Sequence, residues 1–130
     1  VFEPAGVPGF RRFPLLGLGT ALIRLERYPE ARDALTEALR VAELSDDQAA
    51  KTVSLEGRGT HDVATGDFGR GVRLLAQARR LREDIQLPLN PQDEAEIGET
   101  LEAARSGMGR DAFDRAWTQG GSMPVEPGSA

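Results

Sequence analysis

The sequence predicts an all-α protein built of stacked antiparallel helical hairpins and closed by a two-helix cap. Three observations carry that reading. Apolar residues recur at three- and four-residue steps through most of the 130 residues, the spacing of one face of an α-helix. No stretch alternates convincingly between apolar and polar with period two, so a sheet is not expected. The chain also resembles itself at a step of about 40 residues, the scale of a helical repeat array.

The elements follow in order. Residues 1–11, Pro/Gly-rich and starting at Val1 rather than an initiator Met, read as a connector, so the chain is expected to be a piece of a longer one. Pro14 suits the first turn of a helix in which Leu15, Leu18, Leu22 and Leu25 share a face, ending near Tyr28-Pro29. Ala31, Ala34, Leu35, Ala38, Leu39 and Ala42 mark a second helix, and the short connection implies a hairpin over 12–44. Ser45 and Gln48 are spaced as a capping box, opening a third helix that runs to about Ala64 and stops at Gly66. Asp67 suits the N-cap of a fourth, with Phe68, Val72, Leu75, Ala78, Leu81 and Ile85 in period, completing a second hairpin over 45–86.

Leu87-Pro88-Leu89-Asn90-Pro91 cannot continue a helix, because its prolines remove donors and restrict the residues before them. Asn90 as cap and Pro91 at the first helical position open a fifth helix along Ile97, Leu101, Ala104 and Met108, ended by Gly107 and Gly109. A last helix with Phe113, Ala116 and Trp117 on one face stops at Gly120-Gly121, giving a cap over 87–121 and a flexible tail over 122–130.

Shifted by 40 residues, Leu15 falls on Leu55, Gly17 on Gly57, Gly19 on Gly59, Thr20 on Thr60, Tyr28 on Phe68, Leu35 on Leu75 and Ala38 on Ala78. A glycine inside the first helix of each pair lets its partner approach, and an aromatic wedges between the helices. Neither helix of a pair can bury its stripe alone, and stacking the pairs does so. Leu15, Leu18, Gly19, Leu22, Tyr28, Ala31, Leu35 and Ala38 sit as in the tetratricopeptide repeat, which the first hairpin resembles closely. The second matches at Leu55, Gly59, Phe68, Leu75 and Ala78, but Arg58 and Asp62 stand where apolar residues are usual and Gly71 replaces an alanine. The resemblance implies a tetratricopeptide-like α-solenoid.

The run Leu74 to Ile85, then Pro88-Leu89-Asn90-Pro91, Arg105, Gly109, Phe113, Ala116, Trp117, Gly120 and Met123, is similar to the closing segment of large bacterial predicted ATPases, the LuxR-type regulators and related signal-transduction ATPases with numerous domains. That resemblance implies the end of a regulatory array, with the nucleotide site and the output module elsewhere in a parent chain.

Composition narrows function. Without cysteine there is no disulfide framework, thiolate zinc site or cysteine nucleophile. A net charge of −5, from 21 acids and 16 bases, argues against a nucleic-acid backbone or an anionic membrane as partner. No apolar run reaches the length of a membrane span and no signal-peptide layout opens the chain, so a cytoplasmic location is expected.

Chemical motifs are sparse. Gly17-Leu18-Gly19-Thr20 and Gly57-Arg58-Gly59-Thr60 lie inside helical patterns and lack the third glycine and flanking strand of a phosphate-binding loop. Lys51-Thr52 lacks the preceding glycines of such a loop. His61, near Glu56 and Asp62, is expected as a solvated or interfacial histidine, because one imidazole with scattered carboxylates does not make a zinc site. Asp93, Glu94, Glu96, Glu99 and Glu102 read as a polar helix face, and Arg73, Arg79, Arg80 and Arg82 as bases paired with it across the prolines. Phe113 and Trp117, four apart, read as core.

The expected function is therefore a non-catalytic, regulatory interaction module without cofactor or metal. In stacked hairpins the first helix of each pair lines the concave face, here Leu16, Thr20, Ile23 and Arg24 from one repeat and Glu56, Thr60 and Val63 from the next. Such a groove suits a protein or peptide partner, including other domains of a parent chain. The alternative is a stand-alone adaptor using the same groove.

Overall fold

The computed structural model describes residues 12–122, so the connector over 1–11 and the tail from Met123 onward lie outside the described residues. Six helices follow one another: α1 (Arg12–Arg24), α2 (Tyr28–Leu44), α3 (Gln48–Ala64), α4 (Phe68–Ile85), α5 (Pro91–Met108) and α6 (Arg110–Ser122). The described residues contain no strand. The protein is all-α.

Local chemistry explains most helix ends. Four helix ends use the same C-terminal motif at intervals of 20 residues, with left-handed backbone at Glu26, Asp46, Gly66 and Gln86. At each, the following N–H returns to the carbonyl five residues back: Arg27 to Leu22 at 2.8 Å, Asp47 to Ala42 at 2.9 Å, Asp67 to Asp62 at 2.8 Å and Leu87 to Arg82 at 2.9 Å. This is the Schellman pattern, which satisfies carbonyls that the helix end would otherwise leave open. Only one of the four left-handed residues is glycine, so the signal read at Gly66 was one instance of a recurrent device.

Helix starts are more varied. The Asp47 carboxylate accepts the Ala50 N–H at 2.9 Å and caps α3. The expected Ser45–Gln48 capping box does not form, because the Ser45 hydroxyl donates back to the Val41 carbonyl of α2 at 2.7 Å. Asp67 occupies the N-cap of α4 without a side-chain cap bond. Asn90 caps α5 through the Asp93 N–H at 2.8 Å, and Pro91 follows as expected.

Two predicted boundaries move. The first helix ends at Arg24 rather than near Tyr28-Pro29, and Pro29 instead enters the first turn of α2, where its missing N–H costs no helical bond. The last helix runs through Gly120 and Gly121 to Ser122. It does so because Gly120 lies against the backbone of Arg73 in α4, an approach that only a residue without a Cβ allows.

Sequential packing builds the core. α1 packs on α2, α2 on α3 and α3 on α4, while α6 lies mainly on α4 and α5 touches α3, α4 and α6 more lightly. Leu22, Ala31 and Ala34 fill the α1–α2 seam. Leu39, Leu55, Leu74, Ala78 and Leu81 join α2, α3 and α4. Val63, Val72, Leu75, Ala104, Phe113 and Ala116 close the C-terminal half. The 40-residue step also appears in contacts: an added Cβ at Gly19 would meet Leu35 at 2.6 Å, and one at Gly59 would meet Leu75 at 2.7 Å.

Candidate functional site

The odd-numbered helices α1, α3 and α5 turn one side toward each other and leave a groove of about 740 Å³ between them. All seven residues read as a concave surface from sequence line it: Leu16, Thr20, Ile23 and Arg24 from α1, and Glu56, Thr60 and Val63 from α3. The floor is set by Leu35 of α2, which is 1% exposed and seated between Gly19 and Gly57. A Cβ at Gly57 would fall 2.7 Å from that leucine, so both glycines are needed for α2 to press this close beneath the groove.

The third wall was missed in the sequence. α5 contributes Asp93, Glu96, Ile97, Glu99, Thr100 and Ala103. The signal was present, because the step that carries Thr20 to Thr60 continues to Thr100, Leu16 and Glu56 continue to Glu96, and Ile23 and Val63 continue to Ala103. In sequence the α5 acids read as a polar helix face and as partners of the α4 arginines, not as a groove wall.

Electrostatics divides the groove. Glu56 and Arg82 form a bidentate pair, with Nε to Oε2 at 2.5 Å and Nη2 to Oε1 at 2.9 Å. Arg82 also donates to the Leu87 carbonyl at 2.9 Å, which ties α4 to α3 and to the proline connector. The hydrogen bonds it donates to Glu56 hold the Arg82 guanidinium above its ordinary range despite partial burial. Asp93 and Glu94 of α5 add to the attraction on Arg82, while Glu96 and Glu99 line the α5 wall of a groove whose α1 wall carries Arg24.

Of the arginine set expected to pair with α5, only Arg79 does so, through Glu94 at 2.7 Å. Arg80 reaches Asp84 on its own helix at 3.8 Å and the Gly121 carbonyl at 3.1 Å, and Arg82 goes to α3. Lys51 and Thr52 sit within α3, where the Thr52 hydroxyl donates to the Gln48 carbonyl. Both Gly-x-Gly-Thr clusters are helical.

His61 is interfacial but not solvated, being 5% exposed. Its Nδ1 lies 3.0 Å from Asp62 Oδ1 and its Nε2 lies 3.0 Å from the Tyr28 carbonyl, with the Tyr28 ring edge-on to the imidazole. Neighbouring residues on a helix diverge, yet the short Asp62 side chain still bends back to the ring. Asp62 Oδ2 also faces Arg70 Nε at 3.4 Å, and Arg58 donates to the Thr36 hydroxyl at 3.0 Å. Burial pushes the Arg58 guanidinium below its ordinary range, and the Asp62 carboxylate pulls it back up. Both ring nitrogens of His61 are thus occupied inside a seam between α2, α3 and α4, away from the groove.

Among the described residues no group of three His, Asp or Glu side chains could hold a metal ion. None of the described helices is long and apolar enough to cross a membrane. Phe113 is buried with Trp117 stacked on it, centroids 6.3 Å apart, and Arg105 lies 4.7 Å over the Phe113 ring. Compared with known protein families, curated proteins and solved structures, the chain matches none of them.

Proposed function

We propose that the protein is a non-catalytic interaction module of tetratricopeptide-like helical pairs that takes a peptide or helix of a protein partner in the groove between α1, α3 and α5. The observation that carries the reading is the continuity of the groove: three helices supply its walls from positions 40 residues apart. Recurrent Schellman turns and the matching Gly19–Leu35 and Gly59–Leu75 contacts support the repeat arrangement. Repeat modules bind through such continuous surfaces.

The resemblance of the closing segment supports a place in a larger cytoplasmic ATP-dependent regulator, with nucleotide and output sites on other domains. A second domain of that parent is then a natural occupant. Catalysis within the module has little to work with, since the one imidazole is held by Asp62 and the Tyr28 carbonyl.

Selection from a displayed random-peptide library, followed by titration of the selected peptides, tests the reading. Binding to the wild-type chain is expected to be lost in Thr60→Trp, which fills the middle of the groove, with an unchanged far-UV circular dichroism spectrum. Selected peptides that bind the tryptophan variant equally well, or tight ATP binding by the isolated chain, would overturn it.

A further inference from the structure

The groove's chemistry also specifies a partner, and this inference rests on the reading of the groove as a docking site. We propose that its occupant is a cationic amphipathic helix, with an apolar stripe on the floor and a row of Lys or Arg along α5. The lining carries four acids, Glu56, Asp93, Glu96 and Glu99, against two bases, Arg24 and Arg82. Glu56 and Arg82 neutralise one another. Asp93 also acts on Arg82, which leaves Glu96 and Glu99 on α5 with Arg24 as the remaining base of the lining.

Glu96 and Glu99 are not committed to the fold, whereas the Asp93 carboxylate accepts a hydrogen bond from the Asn90 side-chain amide at 3.0 Å. Glu94, one residue away, is taken by Arg79, whereas Glu96 and Glu99 are exposed and no cation of the described residues is in ion-pair contact with them. Between the walls Leu16, Ile23, Val63 and Ile97 give an apolar surface interrupted by Thr20, Thr60 and Thr100. Acid on one edge and hydrocarbon in the middle complement a helix that carries base on one edge and an apolar stripe beside it.

A helix suits the site better than an extended strand. The lining holds no Asn or Gln amide to take up a partner's backbone groups, and the Thr20 hydroxyl is spent on the Leu16 carbonyl at 3.0 Å. A helix brings its backbone already satisfied. The α5 wall from Asp93 to Ala103 rises about 15 Å, which matches roughly three turns of a partner. Arg24, on the α1 wall, favours an acidic residue on the partner's other edge and so sets its orientation.

Fluorescence-anisotropy titrations of the full chain at low salt with designed peptides of about 14 residues, roughly four turns, test the proposal. One peptide places Leu on one face and Lys on the other, and a second replaces every Lys by Glu. The Leu–Lys peptide is expected to bind the wild-type chain and the Leu–Glu peptide not. Glu96→Lys with Glu99→Lys should weaken the Leu–Lys peptide by about tenfold or more, the scale of several exposed ion pairs lost and reversed. The same charge change at Asp33 and Asp114, away from the groove, should leave binding unchanged. Thr60→Trp should abolish it.

Equal loss from the Asp33 and Asp114 pair would show attraction by net charge alone and overturn the proposal. Preferential, Thr60→Trp-sensitive binding of the Leu–Glu peptide would overturn the cationic partner and leave the groove as a docking site. Absence of Thr60→Trp-sensitive binding by either peptide would overturn both.

Discussion

Replacing Gly71 by alanine opposes helix propensity to packing, and the structure says which prevails. A Cβ at position 71 would lie 2.6 Å from Val63 Cγ2, 2.8 Å from the Gly59 carbonyl oxygen and 2.9 Å from the Val63 backbone nitrogen. Two of those three atoms are backbone and cannot swing aside. Restoring a contact of about 3.5 Å requires α3 and α4 to separate by roughly 0.7 Å. Overpacking of this kind costs about 1–3 kcal/mol, and the rigid neighbours put this case toward the upper end. Alanine returns about 1 kcal/mol through helix propensity. A net loss of about 1–2 kcal/mol follows, which lowers the melting temperature by roughly 4–8 °C for a chain of this size.

Gly98→Ala is the matched control. Gly98 is exposed on α5 with nothing within 4 Å of an added Cβ, so only the propensity gain of about 1 kcal/mol operates. Thermal unfolding followed by far-UV circular dichroism should move the two variants in opposite directions. If both melt higher than wild type, α3 and α4 do not approach through Gly59 and Gly71 as described.

Gln86→Gly relieves a left-handed residue at the end of α4 and should stabilise by about 0.5–1 kcal/mol, read as a higher denaturant midpoint without change in slope. Asp62→Ala leaves Arg58 and His61 buried without their carboxylate and should cost about 3–5 kcal/mol in urea unfolding; a change below about 1 kcal/mol would mean that the cluster is hydrated rather than sealed. Asp47→Ala removes the cap of α3 and should cost about 1 kcal/mol, whereas Asp67→Ala, whose side chain makes no cap bond, should cost less in the same assay.

Much of this was legible in the chain because much of it is local. The span of α4 follows from the period of Phe68, Val72, Leu75 and Leu81, and the start of α5 from Asn90-Pro91. Where local signals compete, the sequence alone does not say which one prevails. Ser45 has two ways to use its hydroxyl, as a cap for α3 or back to α2, and neighbouring Asp47 took the cap. Gly120 reads as a stop until α4 is seen beneath it. Arg58, His61 and Asp62 look exposed in a linear pattern, since burial of a polar residue depends on partners such as Thr36 and the Tyr28 carbonyl, more than 20 residues away.

An all-helical chain with a 40-residue step, and seven groove-lining residues on α1 and α3, are legible from the residues alone, because periodicity and capping act within a few residues. That α5 closes the groove as a third wall, that Arg82 is spent on Glu56, and that Glu96 and Glu99 stay uncommitted emerges only once the helices are packed. Those outcomes depend on how helices stack after two prolines have redirected the chain, and on which charges the stacking brings within reach of one another.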